Sequence, residues 1–545
     1  MLYRQIASAM DEISSLPRSQ KAALCSRLIA EIEAPLLCPL VRLLLGQLWP
    51  PWEAREMGVG PEGISAALAE ISEEDITALR GNFGEMGQVA EAALEEKGQN
   101  SLTIEPLQDL SVYEQLRRIS QIRGKDSEQR KNALLRGLFQ EASPLEGRYI
   151  ARTVLGNNLT GIGHKTMLSA FALAFGCERS QLHRAYSLLP DPGMIAVMAA
   201  GGKLEEARIQ PGIPIKPMVI CPLKAEEREA EDIKGREPAR MRVLPLYHAL
   251  KVQVHNTAGG TYIFSSRQKN ITSSLNGLAQ RLSRMDEEFI IDADLIGFRD
   301  GRICPLSEII RFINRRRLSR RSSLSPALLA YDLLYHSGED ITTKPFLERR
   351  RRLLEVLGRP KPMPFSVISV ARDWDLPENY TNKYMKDRLG QLAEEGGEGL
   401  MLRSLQGFYR PGECSKADFI VAREARISAV IVRAECSPKR KDNTLSRFQV
   451  ALREGDELIS VGWIGGQLSR KDAQELDRLL KGLAREWDDN GASVIPQVIV
   501  NLRIGGARRI EQGYLLLRPV VVGIDPQSSW EEADDLERLI QISGL

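Results

Sequence analysis

The spacing of apolar residues changes abruptly near residue 210. Before that point, apolar side chains recur every three or four residues, as in Leu36–Leu45 and Met167–Phe175, which is the period of an α-helix with one buried face. The turn-rich segment Gln210–Pro217 interrupts this pattern. We therefore predict an all-α domain over residues 1–210, followed by a part of the chain that contains β-sheet.

The β-containing part divides again near residue 424. From about 241 to 423, strand-like runs such as Phe289–Ile296 and Ala417–Ala422 alternate with helical stretches such as Lys344–Leu357. Beyond 425, short strands, one of them Tyr514–Val522, surround a single helix, Arg470–Leu483, which is typical of a small β-barrel. We predict an α+β domain over 211–424 and an all-β domain over 425–545, because 545 residues are too many for one hydrophobic core.

The composition excludes several classes of protein. The chain has 43% hydrophobic and 27% charged residues, which is ordinary for a globular protein and argues against wholesale disorder. We find no signal peptide and no apolar stretch long enough to span a membrane. Seven scattered cysteines without C-x-x-C spacing argue against a zinc knuckle and for a reducing compartment. We therefore expect a cytoplasmic protein.

The basic residues are divided unevenly between arginine and lysine. Arg and Lys together number 74 against 72 acidic residues, and only 20 of the 74 are Lys. A net charge of +2 produces no strong overall field, so a polyanionic partner must be bound by local basic patches. Arg binds phosphate through bidentate contacts, whereas only Lys offers an amine that can become a nucleophile. The positions of the few lysines therefore bear directly on catalysis.

Eight segments stand in a specific order along the chain, although a P-loop, H-E-x-x-H and G-x-S-x-G are all absent. The segments are Leu43–Gly60, Gly156–Leu168, Pro214–Met218, Phe264–Thr272, Tyr331–Asp340, Glu398–Arg403, Gly513–Tyr514 and Glu531–Asp534. In this order and spacing they resemble the ATP-dependent DNA ligases of the archaeal and eukaryotic replicative type. Each segment alone is weakly diagnostic, but their order and spacing together are highly specific, and the match extends over nearly the full length of the chain.

The resemblance implies both an architecture and a reaction. The architecture is an all-α DNA-binding domain, an α+β nucleotidyltransferase domain of the ATP-grasp-like ligase type, and an all-β OB-fold barrel. The family forms a covalent lysyl-adenylate through a K-x-D-G-x-R motif, and it uses ATP and Mg²⁺ to seal DNA.

The nucleophile of that motif is missing from this sequence. The segment Val252–His255 matches the V-Q-[IV]-H that follows the motif in the family, and it therefore fixes the register. Counting back places Leu246 at the nucleophilic lysine, and the Asp, Gly and Arg positions are held by His248, Ala249 and Lys251. A leucine side chain has no lone pair with which to attack phosphorus. A substitute amine from Lys224, Lys234 or Lys251 would have to come within about 3–3.5 Å of the α-phosphate, in line with the leaving group.

Other nucleotide- and metal-binding positions are also depleted. The resemblance places the metal-ligating acids at Asp294 and Glu398, and two carboxylates can hold Mg²⁺ together with water; acids on an edge strand or a helix cap are the alternative. It places the residues that correspond to the family's nucleotide pocket at Tyr331, Lys251, Arg267, Arg403 and Arg423. Tyr331 either stacks on a purine or packs in the core. The K-x-K motif is reduced to Val421 and Arg423, and R-F-P-R becomes Leu517–Val520, so cations that would neutralise a triphosphate are lost.

The residues expected to hold DNA are largely retained. Gly161 and Gly163 open an amphipathic helix, where backbone N–H groups can approach a phosphate; a plain tight turn is the alternative. Basic clusters elsewhere either bind the DNA backbone or form a solvated surface. The predicted DNA-binding residues are Gly161, Gly163, His164, Lys165, Arg315, Arg316, Arg317, Arg320, Arg321, Lys439, Arg440 and Lys441. By contrast, we expect Arg349–Arg352, which follow Glu348 on an amphipathic helix, to be ordinary surface residues.

Three hypotheses for the function remain open on the sequence. The first is a ligase-like protein that cannot adenylate itself and acts as a clamp or scaffold on duplex, nicked or broken DNA, with protein partners of a repair, replication or defence complex. It would require no cofactor and would bind ATP and Mg²⁺ weakly at most, and it would have no membrane partner. The second is an active ligase that uses a displaced lysine or seals ends already adenylated. The third is a structural subunit whose DNA-binding surface is vestigial.

Overall fold

The computed structural model describes most of the chain. The described residues are 2–95, 106–156, 158–222, 240–247, 249–304, 306–314, 324–377, 382–422, 425–436, 445–455, 457–465, 468, 470–488, 491–510, 513–526 and 530–543.

The first part of the chain is helical, as predicted. Its helices are α1 (Tyr3–Ser15), α2 (Arg18–Ala30), α3 (Ala34–Leu44), α4 (Pro61–Ala69), α5 (Ile76–Phe83), α6 (Met86–Glu95), α7 (Asp109–Gln121), α8 (Ser127–Glu141), α9 (Pro144–Val154), α10 (His164–Phe175), α11 (Arg179–Leu188) and α12 (Pro192–Ala200). The pairs α6–α9, α2–α10 and α3–α12 pack closely and bury their apolar faces in one continuous core.

Local sequence explains where several of these helices begin and end. Helix α9 begins at a capping box, in which the Ser143 N–H donates to Glu146 Oε2 at 2.8 Å and Pro144 occupies the first turn. Helix α10 ends at Gly176, whose φ of 65° lies in the left-handed region that glycine adopts without strain. These signals keep the helices short and the connections between them tight.

The middle part contains two sheets with helices around them, and the predicted α+β class is confirmed. The strands are β1 (Val219–Pro222), β2 (Met241–Tyr247), β3 (Leu250–Thr257), β4 (Gly260–Ser265), β5 (Phe289–Arg299), β6 (Arg302–Ile303), β7 (Ser325–His336), β8 (Glu339–Asp340), β9 (Ile368–Val370), β10 (Trp374–Asp375), β11 (Gly397–Ser404) and β12 (Cys414–Ala422). The helices are α13 (Asn276–Leu282), α14 (Leu306–Asn314), α15 (Phe346–Leu357) and α16 (Asn382–Glu394). One sheet has the order β1-β12-β11-β2-β10, and the other has the order β4-β3-β5-β7-β8 with β6 and β9 attached to β5 and β7.

The last part is β-rich, as predicted, with one helix inserted among the strands. The elements are β13 (Ala425–Cys436), β14 (Leu445–Glu454), β15 (Glu457–Ile464), α17 (Arg470–Gly482), β16 (Ala484–Asp488), β17 (Gly491–Val494), β18 (Ile499–Ile504), β19 (Ala507–Ile510), β20 (Gly513–Leu516), β21 (Val520–Asp525) and a C-terminal helix, α18 (Leu536–Ser543).

Two details of that part differ from the sequence prediction. Among the described residues the strands do not close into a barrel: β13 pairs with β14, β17 and β18, β21 pairs with β18 alone, and β19 and β20 form a separate hairpin. Closure would need the two end strands to pair with each other, but within the described residues β15 pairs with β14 and β21 pairs with β18. The predicted single strand Tyr514–Val522 is two strands, because Arg518 between them adopts a left-handed φ of 48°.

The turn-rich segment after the helical part is fixed on the second sheet. The Gly212 N–H donates to His255 Nδ1 at 3.0 Å, and the Ile215 N–H donates to Gln253 Oε1 at 2.9 Å. His255 is fully buried, and this burial lowers its pKa to about 3, so the imidazole stays neutral and can accept the bond. Ile215 and Tyr409 also join the apolar core of the helical part. The helical part is therefore held against the sheet that carries β3.

Two observations bear on the expectations from composition. No helix among the described residues is long and apolar enough to cross a membrane. Cys25, Cys38, Cys177, Cys304 and Cys436 are free thiols. Cys414 is disulfide-bonded, which the scattered spacing of the cysteines did not predict.

Candidate nucleotide pocket and DNA-binding surface

A pocket of about 290 Å³ lies between the two sheets of the α+β part. Strands β2, β11 and β12 contribute one wall, β3, β5 and β7 contribute the other, and the segment around Met218 covers one side. Most of the lining is apolar, and its polar members include Lys251, Gln253, Asp292, Tyr331, Asp332, Arg403 and Tyr409. Four positions singled out in the sequence, Leu246, Lys251, Tyr331 and Arg403, are therefore brought together here.

Leu246 occupies the pocket wall where the resemblance expects the nucleophile. It lies on β2 opposite Gly399 of β11, and it is 8% exposed. Because side chains alternate along a strand, Leu246 lines this pocket while its neighbours Pro245 and Tyr247 line a separate cavity. The position at the head of the motif therefore presents an isobutyl group to the pocket.

Lys251 is the one described lysine that lines the pocket. Its ammonium lies 2.6 Å from Asp294 Oδ1 on the neighbouring strand and 4.8 Å from the centre of the Tyr331 ring. The other two lysines considered from sequence, Lys224 and Lys234, lie outside the described residues, as does His248. An ammonium group held by a carboxylate has no free lone pair, so Lys251 is placed as a cation and not as a ready nucleophile.

Tyr331 is buried in the pocket wall. Its hydroxyl donates to the Pro245 carbonyl at 3.0 Å, and burial raises the pKa of the phenol well above its usual value. The side chain is 4% exposed, yet its ring borders the cavity and the Lys251 ammonium lies near it. The ring therefore packs in the core and also lines the pocket, and purine stacking stays a prediction.

Arg403 lines the pocket, but its guanidinium is held by carboxylates. It donates to Asp332 Oδ2 at 2.8 Å and to Asp418 Oδ2 at 2.9 Å, and the residue is 3% exposed. Arg349 donates from Nε and Nη2 to the two oxygens of Asp332 at 2.8 and 2.9 Å. We call these four residues the charged cluster; it balances two positive and two negative groups inside the domain. Phosphate binding by Arg403 would require breaking these bonds.

The prediction that Arg349–Arg352 are ordinary surface residues is wrong for the first two. Arg349 is fully buried and Arg350 is 4% exposed, and Arg350 Nη2 lies 2.6 Å from Asp373 Oδ1. The apolar face of α15 packs on β7, so two of four consecutive arginines must point inward. An aspartate inside the apolar run of β7 was the available signal, because a buried carboxylate needs a cationic partner.

A further carboxylate, Asp292, is half-buried and also borders the pocket. It accepts hydrogen bonds from the Tyr409 hydroxyl and, at 3.3 Å, from Gln253 Nε2. Burial nevertheless dominates and raises the pKa of Asp292 to about 6. Sequence reasoning did not select Asp292 or Tyr409, because their contact depends on a loop more than a hundred residues away in the chain.

The two candidate metal ligands each have a basic partner. Asp294 is fully buried beside Lys251, and Glu398 Oε2 lies 3.6 Å from the Arg518 guanidinium, which also donates to the Glu398 carbonyl at 3.1 Å. No group of three or more His, Cys, Asp or Glu suited to a metal ion occurs in the described part of the chain. Since both carboxylates already pair with cations, this arrangement does not fit a metal site.

The glycine pair in the helical part forms a defined approach to α10. Gly161 has a φ of 67°, and Gly163 is the N-cap of α10, with open space where a side chain would begin. His164 is half-buried and bonded to the Tyr186 hydroxyl, whereas Lys165 is exposed. The geometry suits close approach of an anion to the first N–H groups of the helix.

A further cation, Lys216, lies beside this helix start although the sequence did not mark it as a site residue. Its ammonium lies 3.8 Å from the centre of the Tyr186 ring. Burial, together with repulsion from Lys165, lowers the pKa of Lys216 to about 8. This positive environment comes from two parts of the chain, which sequence spacing alone cannot reveal.

The remaining predicted site residues lie away from the pocket or outside the described residues. Arg267 is exposed in the turn after β4 and does not line the pocket. The predicted basic residues Arg315, Arg316, Arg317, Arg320, Arg321, Arg423, Lys439, Arg440 and Lys441 lie outside the described residues.

Two models of DNA ligase domains match this chain. A family model described as DNA ligase N terminus matches residues 2–172, and a model described as ATP dependent DNA ligase domain matches residues 247–418. Together the two models cover more than half of the chain. Leu246, which lines the pocket, lies one residue before the second match begins.

Full-length relatives carry the same description. A protein named DNA ligase from Thermococcus onnurineus is 30% identical over 517 residues, covering 92% of this chain and 90% of the relative. A DNA ligase from Thermococcus fumicolans is 27% identical, with 100% and 99% coverage. The solved structure Pmar-Lig_Pre aligns with 96% of this chain and 99% of its own at 13% identity, with a TM-score of 0.50, which supports the fold alone.

Proposed function

Because the chain belongs to the ATP-dependent DNA ligase family, we propose that it binds duplex DNA at nicks or ends and does not adenylate itself at position 246. The observation that carries this proposal is the Leu246 side chain, which lines the pocket and stands where the sequence resemblance expects the family's nucleophile. Adenylation joins a nitrogen to the α-phosphorus, and a hydrocarbon side chain offers no electron pair for that bond.

The electrostatics of the pocket support the same proposal. The basic groups at its edge are already paired, with Lys251 on Asp294, and Arg403 on Asp332 and Asp418. Stabilising a triphosphate and its leaving group requires cations that are available to the phosphates. In this proposal ATP and Mg²⁺ are therefore not required, and any nucleotide that enters is bound without a covalent bond.

DNA binding is assigned to the helical domain at the start of α10. A phosphate can reach the N–H groups beside Gly163, because nothing lies within 4 Å of the position a side chain would take there. Exposed Lys165 adds a positive charge at the same place. Contacts of this kind bind DNA of any sequence, which suits a clamp or scaffold that recruits proteins of a repair, replication or defence complex in the cytoplasm.

An active ligase is the second candidate, and the comparisons support it more directly than they support loss of adenylation, because the relatives are named DNA ligase. The structural observation in its favour is Lys251, which lines the pocket beside Tyr331. In this candidate, Lys251 leaves Asp294, loses a proton to solvent and attacks the α-phosphorus of ATP, which breaks the bond to the β-phosphate and expels pyrophosphate. Alternatively, the protein seals ends that another enzyme has adenylated. ATP and Mg²⁺ are required for the first of these routes.

Salt-dependent DNA binding tests the first part of the proposal. We expect binding to nicked duplex that weakens linearly in a log–log plot against salt. The Gly163→Leu variant should bind more weakly because its side chain blocks the helix start, while its folding should be preserved, since φ at this position is −119° and the space is open. Leu173→Ala, at an exposed position near the other end of the same helix, is the matched control. Equal binding by Gly163→Leu and wild type would remove the assignment of phosphate to this helix.

Sealing assays separate the two candidates. Wild type, Lys251→Met and Lys251→Arg are incubated with nicked duplex plus ATP and Mg²⁺, and separately with nicked duplex whose 5′ end is already adenylated. The proposal expects no sealing of the first substrate by any of the three proteins. Sealing by wild type that is lost in both variants identifies Lys251 as the nucleophile, and sealing of the pre-adenylated nick alone identifies the other route.

A further inference from the structure

An exposed leucine with a left-handed backbone lies immediately before the glycine pair. Leu159 has a φ of 54° and its side chain is 49% exposed. Residues with a Cβ adopt this region at an energetic cost, and glycine or asparagine normally takes such positions. Strained residues of this kind persist only where the surrounding structure fixes them, and they are concentrated at functional sites.

The residue before Leu159 is firmly anchored in the helical domain. Asn158 is 3% exposed, and its side-chain nitrogen donates to the Leu43 carbonyl. Its side-chain oxygen accepts from the Thr153 hydroxyl at 3.1 Å. The backbone on the N-terminal side of Leu159 is therefore fixed by a buried residue.

The residue after Leu159 is anchored as well. Thr160 is 3% exposed, and its carbonyl accepts from the buried ammonium of Lys21 at 2.5 Å. The Lys21 side chain also packs where a Gly161 side chain would begin, at 3.1 Å. With both neighbours buried, the backbone between them is held in a conformation that directs the Leu159 side chain outward.

Leu159 therefore has a strained backbone conformation and also an exposed apolar side chain. Folding alone does not favour this combination, because burial of leucine stabilises a protein. The exposed side chain lies two residues before Gly161 and four before Gly163, beside the helix start that we assign to phosphate. Leucine is among the side chains that proteins insert between base steps from the minor groove, where they unstack and bend the duplex.

We propose that Leu159 is an apolar wedge that enters the minor groove of duplex DNA and partly unstacks one base step, while the start of α10 holds the adjacent phosphate. This inference rests on the proposed DNA binding and adds a residue that distorts the duplex. It also supplies a preference for nicked over intact duplex, since a step beside a nick is easier to open.

Two variants separate this role from a role in folding. Leu159→Gly removes the side chain and also the left-handed strain, so it should keep or raise the melting temperature while weakening the binding to DNA. Leu159→Ala removes the wedge and leaves the strain. Leu173→Ala, which removes a 58% exposed leucine from α10, is the control for loss of exposed apolar surface.

The assay uses full-length protein and duplexes that carry 2-aminopurine at successive positions around a nick. Wild type and Leu173→Ala should raise the fluorescence at one step, as expected for unstacking. Leu159→Gly and Leu159→Ala should lose that rise and bind about tenfold more weakly, in proportion to the apolar contact removed. The preference for nicked duplex should fall in the same two variants.

The possible results are distinguishable. If wild type binds DNA and Leu159→Gly gives the same fluorescence and affinity, the wedge is overturned while the proposed DNA binding stands. If wild type binds no DNA at low salt, both proposals fail. If Leu159→Gly leaves DNA binding unchanged but abolishes self-association in sedimentation, Leu159 contacts a second copy of the chain and the wedge is likewise overturned.

Discussion

Replacing Arg349 with alanine tests the charged cluster at the centre of the α+β domain. Arg349 is fully buried and forms a bidentate pair with Asp332 at 2.8 and 2.9 Å. Asp332 is also bound by Arg403, which in turn binds Asp418. Removing Arg349 changes a neutral group of two cations and two anions into one with a net charge of −1 inside the protein.

The expected cost follows from that burial. Breaking a buried pair by removing one partner destabilises a protein by about 3–5 kcal/mol, because the remaining charge is left uncompensated. Arg352→Ala is the matched control, since it lies three residues along the same helix and pairs with Glu339 and Glu348 at a position that is 21% exposed. Exposed pairs contribute about 0–1 kcal/mol, so this control should change stability little.

Hydrogen exchange measures the effect locally, which suits a chain with several domains. Amides of β7 that are protected in wild type should exchange about 10²- to 10⁴-fold faster in Arg349→Ala, and at nearly the wild-type rate in Arg352→Ala. The contrast should weaken in acid. Burial raises the pKa of Asp332, but attraction to Arg349 and Arg403 outweighs burial and lowers it overall. Stabilisation by the pair is therefore present at neutral pH and is lost as pH falls through the lowered pKa of Asp332. Equal exchange rates in the two variants at neutral pH would refute the assignment of a buried, structural charge cluster.

Two further predictions concern the pocket. Lys251→Met should lower the melting temperature, because it leaves the fully buried Asp294 without the cation 2.6 Å away. Adding Asp294→Asn should restore most of the lost melting temperature. Additive losses in the double variant would contradict the pairing. Burial raises the pKa of Asp292 from its usual 3.8 to about 6. The stability that its protonated form contributes is therefore present below about pH 4 and is lost as pH rises towards 6. Relative to Asp292→Asn, wild type should therefore lose melting temperature between about pH 4 and pH 6, and a constant difference across that range would show that Asp292 titrates normally.

The sequence predicted the order of domain types and several of the strands, because those depend on local periodicity. The helical part, the strands near 289–296 and 417–422, and the helix near 470–483 are all found close to their predicted limits. The motif register that puts Leu246 at the nucleophile position comes from the resemblance and stays a prediction; Val252–His255, on which it depends, lies within β3.

The parts that sequence could not supply depend on contacts between distant residues. Arg349 was expected at the surface because α15 has an amphipathic pattern, but the aspartate that draws it inward lies on another element. The sheet of the last domain is open because its end strands β15 and β21 do not pair with each other within the described residues, and pairing between distant strands has no sequence period. The strain at Leu159 is likewise invisible in sequence, since a leucine among polar residues gives no indication of a left-handed backbone.

Intact-mass spectrometry of the full-length protein after incubation with ATP and Mg²⁺ tests the central claim about Leu246 most directly. Pyrophosphatase is included so that adenylation is not reversed, and a relative with the complete K-x-D-G-x-R motif is the positive control. We expect the relative to gain the mass of one AMP and this protein to remain unchanged. A gain of one AMP by this protein, mapped by peptide analysis to Lys251 or to any other lysine, would contradict the claim that it cannot adenylate itself.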